Sequence, residues 1–337
     1  IRTMGALPGD PASLADRSVG PVAEDALGNI WIGTNKGLNV WLRSQDRLLT
    51  FLADGKRPAS LPGDHVLSLL RDGDAMLIGT LGNGVTRGVL RNDRLECGPL
   101  PGVSAQQAAS MATVHALYRS RQGVLWAGTA GSGLCRVDRN GAVCYPHTGD
   151  ATGPSHPYIY CIEEDAHGNL WLGTPTGGLD LFDPSTGAFV HLLNRPEDRA
   201  SLSNDLVLSL FRDADTLWAG TVNGLNKLRI DTATVRALKD GDQRAARFTR
   251  YGRADGLPNE VVYGMLQDGR HHLWITTNLG IAEFDPATGR TVRVLTTSDG
   301  LRNDEFNQNG FLTSSKGEMF FGGVEGLSWF SAKDLVP

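Results

Sequence analysis

The sequence lacks any excess of positive charge. Its 337 residues include 32 Lys and Arg against 37 Asp and Glu, which gives a formal net charge of −5 at pH 7. Binding to a phosphate backbone or to an anionic membrane normally depends on a basic surface. We therefore expect neither nucleic acid nor a membrane surface among the partners of this chain.

Long hydrophobic runs are also absent. No stretch approaches the ~18 consecutive apolar residues of a membrane-spanning helix, and no basic segment followed by an apolar one stands near the start. We expect no membrane contact from this segment. The chain begins at Ile1 rather than Met, so we expect it to be processed or cut from a longer protein, and the missing leader excludes no compartment.

Cysteines are few, and no two of the four are spaced as CxxC, so neither a zinc site nor a redox pair is indicated. Cys135 and Cys144 flank the hairpin "CRVDRNGAVC". A two-residue turn at Asn140 and Gly141 would leave these cysteines diagonal rather than opposite, and a disulfide between them stays open.

Motifs of catalysis are missing as well. The eight histidines do not form a metal-binding spacing such as HExxH. No Ser, His and acid set, no pair of carboxylates and no phosphate-binding loop can be assembled. The sequence therefore predicts no catalytic residue, no metal and no cofactor.

What the sequence does contain is a repeat. The stretch "DALGNIWIGTNKGLNVW" at residues 25–41 joins a turn, a short apolar strand that ends in Gly-Thr, a Gly-rich link and a second apolar strand. The glycine of this Gly-Thr step, or its degenerate equivalent, recurs along the whole chain at Gly33, Gly79, Gly128, Gly173, Gly220, Thr276 and Gly322. Seven copies divide the chain into units of about 48 residues.

Each copy has four strand-like pieces bounded by turn residues, and turns interrupt every helical period. The sequence predicts an all-β fold, a seven-bladed β-propeller of four-stranded antiparallel blades that occupies residues 1–337 as one domain. An open solenoid is the competing geometry, but its ends would be polar caps. Here the seventh copy lacks a fourth strand, and Ile1 to Met4 resembles an unattached one. We expect the N-terminal strand to close the ring.

Two rows of equivalent positions support a ring. At one position of the first strands every residue is small: Pro21, Ser68, Ala116, Cys161, Ser209, Gly264 and Gly310. The next position is apolar throughout, as expected for packing between neighbouring sheets: Val22, Leu69, Leu117, Ile162, Leu210, Met265 and Phe311. Small residues are expected where seven strands converge on an axis.

One face of such a propeller collects the links between second and third strands and the links between blades. Residues with varied polar side chains fall on these links, which predicts a site for a small polar ligand or a protein partner. The candidate ligand-binding residues are His65, His115, Tyr158, Tyr160, Asn223, Tyr263, Asn278 and Glu325. We expect the opposite face to be inert.

The copies "SLSNDLVLSLFRD", "GLPNEVVYGMLQD" and "EDAHGNLWLGTPTGGLDLFDPSTGAFV" resemble the two-component regulator propeller repeats of bacterial membrane sensors. The tail "DGLRNDEFNQNGFLTSSKGEMFFGGVEGLSWF" is similar to the end of the second propeller in such sensors. The resemblance implies a periplasmic sensory module, often for carbohydrate fragments and commonly dimeric. Family members continue into a small immunoglobulin-like domain, a membrane helix and a kinase or cyclase, none of which is present here.

Three functions remain open at this stage. The first is a non-catalytic sensory propeller, which we favour. The second is an enzyme on a similar propeller, either a lyase of the streptogramin-lyase type or a polysaccharide-cleaving enzyme, for which only His115 and Tyr263 offer functional groups beside the axis. The third is a module that only spaces or dimerises a sensor.

Overall fold

The computed structural model describes residues 1–57 and 59–335, which form seven sheets of four antiparallel strands each. The first strands of neighbouring blades pack against one another around a central axis. The predicted seven-bladed propeller is thereby confirmed. The last two residues of the predicted domain lie outside the described residues.

Each blade is a meander of consecutive strands, and the chain begins with the separate strand β1 (Arg2–Met4). Blade 1 consists of β2 (Val19–Glu24), β3 (Ile30–Thr34), β4 (Gly37–Leu42) and β5 (Arg47–Phe51). Blade 2 consists of β6 (Val66–Asp72), β7 (Ala75–Thr80), β8 (Gly84–Arg91) and β9 (Arg94–Gly98). Blade 3 consists of β10 (Val114–Arg119), β11 (Leu125–Thr129), β12 (Leu134–Asp138) and β13 (Gly141–Tyr145). Blade 4 consists of β14 (Cys161–Glu164), β15 (Leu170–Gly173), β16 (Leu179–Asp183) and β17 (Ala188–Leu192). Blade 5 consists of β18 (Val207–Asp213), β19 (Thr216–Thr221), β20 (Gly224–Arg229) and β21 (Phe248–Tyr251). Blade 6 consists of β22 (Gly264–Gln267), β23 (Leu273–Thr276), β24 (Ile281–Asp285) and β25 (Arg290–Leu295). Blade 7 consists of β26 (Phe306–Thr313), β27 (Met319–Gly323), β28 (Gly326–Phe330) and β1.

The ring is closed by its first residues, as predicted. Strand β1 pairs antiparallel with β28, with Arg2 opposite Trp329, Thr3 opposite Ser328 and Met4 opposite Leu327. The edge of blade 7 is therefore covered by the start of the chain, and an unpaired strand edge is avoided.

The connections between strands also contain short helices, which the repeat pattern does not reveal. Two short helices, α1 (Ala105–Ser110) and α2 (Thr232–Lys239), stand in connections between strands. Helix α2 begins where the Asp231 side chain accepts a hydrogen bond from the backbone N–H of Thr234 at 2.9 Å, and it buries Val235 and Leu238 against blades 4 and 5. None of the helices in the described residues has the length and apolar character that crossing a membrane requires.

The recurring turns have structural roles. In "DALGN" the carboxylate of Asp25 accepts hydrogen bonds from the Asn29 amide at 2.9 Å and from the Trp31 indole at 3.0 Å. Both hydrogen bonds recur at Asp165, and the bond from the indole recurs at Asp268. The tryptophans that share this strand position are 0–3% exposed: Trp31, Trp126, Trp171, Trp218 and Trp274. They form core between blades, as expected, and no platform for a sugar.

The glycine of each Gly-Thr step allows a neighbouring blade to approach closely. A Cβ atom added to Gly33 would lie 2.8 Å from Cγ1 of Val66, which belongs to the next blade. A Cβ atom on Gly173 would lie at the same distance from Cγ1 of Val207. Both distances are shorter than a normal contact between carbon atoms, so the step is a packing requirement rather than a catalytic motif.

The small residues beside the axis are all buried, as the crowding argument requires. Gly264 has no room for a side chain, because a Cβ atom there would lie 3.0 Å from Cγ of Phe311 and closer still to the ring edge. We expect Gly264→Leu to lower the free energy of unfolding by about 1–3 kcal/mol through overpacking. Thr186→Leu, at an exposed turn, should cost little. Equal urea midpoints for the two variants would contradict this explanation.

The hairpin of blade 3 differs from its predicted register. Its turn residues are Arg139 and Asn140, because Asp138 pairs with Gly141. This register places Cys135 directly opposite Cys144, and the two form a disulfide with a Cα–Cα distance of 3.9 Å. The expected diagonal placement is therefore wrong. Cys97 and Cys161 are free thiols, and burial raises the pKa of both.

Candidate functional site

The face that carries the candidate residues, here called the upper face, is built by one repeated turn. The threonine of each Gly-Thr step donates its hydroxyl to the carbonyl of the glycine that starts the third strand, as from Thr34 to Gly37 at 2.8 Å and from Thr221 to Gly224 at 3.0 Å. The same glycines donate their N–H groups to the link that leads to the next blade, as Gly224 does to Glu260 at 2.7 Å. The two sets of links therefore lie on one face, as predicted.

Four candidate residues come together near the mouth of the central channel. His65 lies on the link between blades 1 and 2, His115 near the start of β10, and Tyr158 and Tyr160 on the link between blades 3 and 4. The His115 and Tyr160 rings meet edge to face with centroids 5.2 Å apart. Tyr158 is 41% exposed, and its ring meets that of His156 at 5.4 Å. We call these five residues the upper-face cluster.

Burial favours the uncharged forms of His65, His115 and Tyr160 in the upper-face cluster. Burial lowers the pKa of His65, which the nearby Asp16 partly offsets, and burial together with the neighbouring His65 lowers the pKa of His115. Burial raises the pKa of Tyr160, and Tyr158 raises it further. Neutral imidazoles and phenols can each donate and accept hydrogen bonds. The cluster therefore presents polar edges and aromatic faces without a net charge.

These polar side chains are not used by the fold. Among residues 1–57 and 59–335, no hydrogen bond joins the side chains of His65, His115, Tyr158 or Tyr160 to another protein group. Their rings are half-buried or exposed rather than enclosed. Polar groups held in place without protein partners remain available to a ligand.

The other four candidate residues are separate from the cluster. Tyr263 and Asn278 lie near each other in blade 6, and burial raises the pKa of Tyr263. Asn223 donates to the carbonyl of Ser203 at 3.2 Å, and Glu325 pairs with Arg17 at 3.0 Å. Asn223 and Glu325 thus have local structural roles.

Sequence reasoning missed a segment of β26 that crosses the channel, residues 307–309. Asn309 has a left-handed backbone (φ 61°) and donates to the carbonyl of His115 at 2.8 Å, while Gln308 donates to the carbonyl of Leu208 at 2.9 Å. Asn307 donates to the carbonyl of Val19 at 2.9 Å. This channel-crossing segment ties blade 7 to blades 1, 3 and 5. Its signal in the sequence is the polar run "NQN" inside a strand.

Three side chains with metal-ligating atoms lie together at the opposite, lower face: Asp268, His272 and Glu283. Two arginines already occupy this cluster, since Arg270 lies 2.6 Å and Arg293 2.5 Å from the Glu283 carboxylate. Burial alone would raise the pKa of Glu283, but hydrogen bonds from Arg293 and His272 hold this pKa below its ordinary value. A divalent cation would face two guanidinium groups, so the cluster fits an ion-pair network better than a metal site.

Comparison with known proteins identifies the repeat. Residues 153–176 and 256–279 match the family described as two component regulator propeller. Histidine kinase P4 of Formosa agariphila is 25% identical over 214 residues, which is 52% of this chain but 16% of the relative. The chain therefore spans a small part of the curated relative that it matches.

Solved structures share the fold. The extracellular domain of the protein described as hybrid two component system BT3049, from B. thetaiotaomicron, superposes with a TM-score of 0.76 at 21% identity, over 96% of this chain and 40% of that chain. A catalytically inactive virginiamycin B lyase from Staphylococcus aureus superposes with a TM-score of 0.66 at 13% identity, over 97% of each chain. The described part of the chain is thus a seven-bladed β-propeller that contains two-component regulator propeller repeats.

Proposed function

We propose that this chain is a non-catalytic sensory propeller that binds a small neutral polar ligand at the upper-face cluster. The observation that carries the proposal is the set of four polar rings, His65, His115, Tyr158 and Tyr160, that make no side-chain hydrogen bond within the described residues. Pockets that combine aromatic faces with a few polar groups are typical of small-molecule sites.

A carbohydrate fragment is the ligand class that we favour. A sugar offers hydroxyl groups for neutral imidazole and phenol edges, and C–H faces for aromatic rings. The lowered pKa values of His65 and His115 disfavour an anion, because these rings are uncharged near pH 7. The repeat family supports the sensory part of the proposal.

An extracytoplasmic, periplasmic location follows as part of the same proposal. The structural neighbour from B. thetaiotaomicron is described as an extracellular domain. Signal output would then reside in other parts of a longer sensor, and whether this chain is a second propeller or dimerises stays a prediction.

Calorimetry with cellobiose, maltose and xylobiose would test the binding proposal. We expect at least one of these disaccharides to bind and to be recovered unchanged, because the cluster has no ionised carboxylate among its own members. Tyr160→Ala and His115→Ala should each weaken binding at least tenfold, about 1.4 kcal/mol. Glucuronate should bind more weakly than the neutral sugars.

Leu279→Ala is the matched control, since Leu279 is an exposed residue (51%) of the same face in blade 6. It should leave binding unchanged. Equal affinity for wild type and both cluster variants would place the ligand elsewhere. Cleavage of a disaccharide by the wild type would favour the propeller-enzyme alternative.

A further inference from the structure

The central channel contains a cavity of about 250 Å³ below the upper-face cluster. Its lining combines five residues of the small row with six residues of the apolar row of the first strands: Val22, Leu69, Leu117, Ile162, Leu210 and Phe311. These residues also pack between blades, as expected, but six of the row's seven members reach the channel. The result is an apolar chamber on the axis, here called the channel chamber.

The channel-crossing segment lies at the upper end of the channel chamber. Asn309 lines the chamber together with His115, and the hydrogen bond between them spans the mouth. Gln308 reaches the opposite side of the axis at Leu208. The segment thus contributes Asn309 to the lining of the chamber and is held by hydrogen bonds to blades 3 and 5.

One carboxyl group lines this apolar chamber. Glu163 extends from β14, accepts the N–H of Glu164 at 3.2 Å and lies near the Tyr118 side chain. Among the described residues it forms no salt bridge. Arg212 is nearby, but its guanidinium donates to the carbonyl of Ala214 at 2.9 Å. The positive charge of Arg212 favours the ionised carboxylate from a distance, but no direct ion pair offsets the burial of Glu163, as a cationic ligand would.

We infer that the channel chamber binds a small organic ammonium ion, with its charged group on Glu163 and a short alkyl chain against the apolar row. A cavity of about 150 Å³ is large enough to bind benzene, so a four-carbon amine fits the volume. This site is centred on Glu163 and shares one residue, His115, with the upper-face cluster.

Ionisation of Glu163 would couple this binding to pH. Burial raises the pKa of Glu163 to about 7, and the charge of Glu164 raises it as well, while the backbone N–H of Glu164, the charge of Arg212 and the Tyr118 side chain lower it. The ammonium ion pairs with the ionised carboxylate only. Between pH 6 and pH 8 the ionised fraction rises by about tenfold for such a group, and affinity for the amine should rise by about the same factor.

Titration with n-butylammonium chloride tests the inference, with n-butanol as the uncharged probe of similar shape. We expect butylammonium to bind at least tenfold more tightly than butanol at pH 8. Glu163→Gln, which keeps the shape and removes the charge, should weaken butylammonium binding at least tenfold and abolish its pH dependence.

Glu197→Gln is the matched control, because it removes one negative charge from an exposed position. It should bind butylammonium as the wild type does. Equal binding of butylammonium to the wild type and to Glu163→Gln would overturn the inference, and so would equal binding of butanol and butylammonium. Sugar binding at the upper-face cluster should be the same in all three proteins.

Discussion

A variant that begins at Gly5, and so lacks β1, is expected to unfold at a clearly lower temperature than the intact chain and to aggregate. Three residue pairs with β28 are lost, at about 1 kcal/mol for each backbone hydrogen bond that is not replaced. The edge of β28, which is wholly buried, then becomes an exposed strand edge, a common site of aggregation. We expect a loss of about 3 kcal/mol, measured by reversible urea unfolding.

The control for this deletion is Arg2→Ala, which removes an exposed side chain and keeps the backbone of β1. It should unfold close to the wild type, and light scattering on heating should be unchanged. An unfolding midpoint for the deletion variant that matches the wild type would show that β1 does not hold the ring closed.

Replacing Glu283 with Gln is expected to be the most damaging substitution of a single charged residue. The Glu283 side chain is fully buried and contacts Arg270, His272 and Arg293 at 2.5–2.8 Å. Removing one partner of a buried ion pair typically costs about 3–5 kcal/mol. Arg270 is 52% exposed and can rehydrate, so we expect a loss near 3 kcal/mol.

The pH dependence gives a second measurement of the same network. Because the folded-state pKa of Glu283 is below its ordinary value, its contribution to stability is present above the unfolded-state pKa, about 4.3. The contribution is lost as the pH falls through the folded-state pKa. The difference in unfolding free energy between wild type and Glu283→Gln should therefore shrink at acidic pH. Glu197→Gln again serves as the control, and a constant difference across this range would contradict the argument.

The propeller could be predicted because each copy repeats the same local constraints. The carboxylate of Asp165 in one turn and the hydroxyl of Thr174 in the next are bound by groups within a few residues. Seven such copies specify strand order without any long-range information. Closure of the ring by β1 could be predicted because the last copy lacks a fourth strand.

Predictions failed where the chain departs from its repeat. The turn at Arg139 and Asn140 was placed one residue too late, because Gly141, with φ 126°, starts β13 instead of occupying the turn. Helix α2 belongs to an insertion found in one blade, so no other copy could reveal it. Its only sequence signals are the cap at Asp231 and the apolar pair Val235 and Leu238.

The candidate site was predicted in part. Sequence position placed the polar residues on one face, but it could not show that His115 and Tyr160 meet while Asn223 and Glu325 are engaged elsewhere. Those contacts depend on the angle between neighbouring blades. Side-chain packing across the whole ring sets that angle.

The sequence by itself determined the number of blades, their strand order, the face that gathers the links and the closure by β1, because all of these follow from short-range patterns repeated along the chain. Only the tertiary structure decided which side chains meet at the axis. Asn309 bonds to residues 194 and 242 positions away, His115 and Leu67, and Glu163 lies in a chamber lined by six blades. Closing the ring brings such distant positions together, and local sequence patterns do not specify the resulting distances between their side chains.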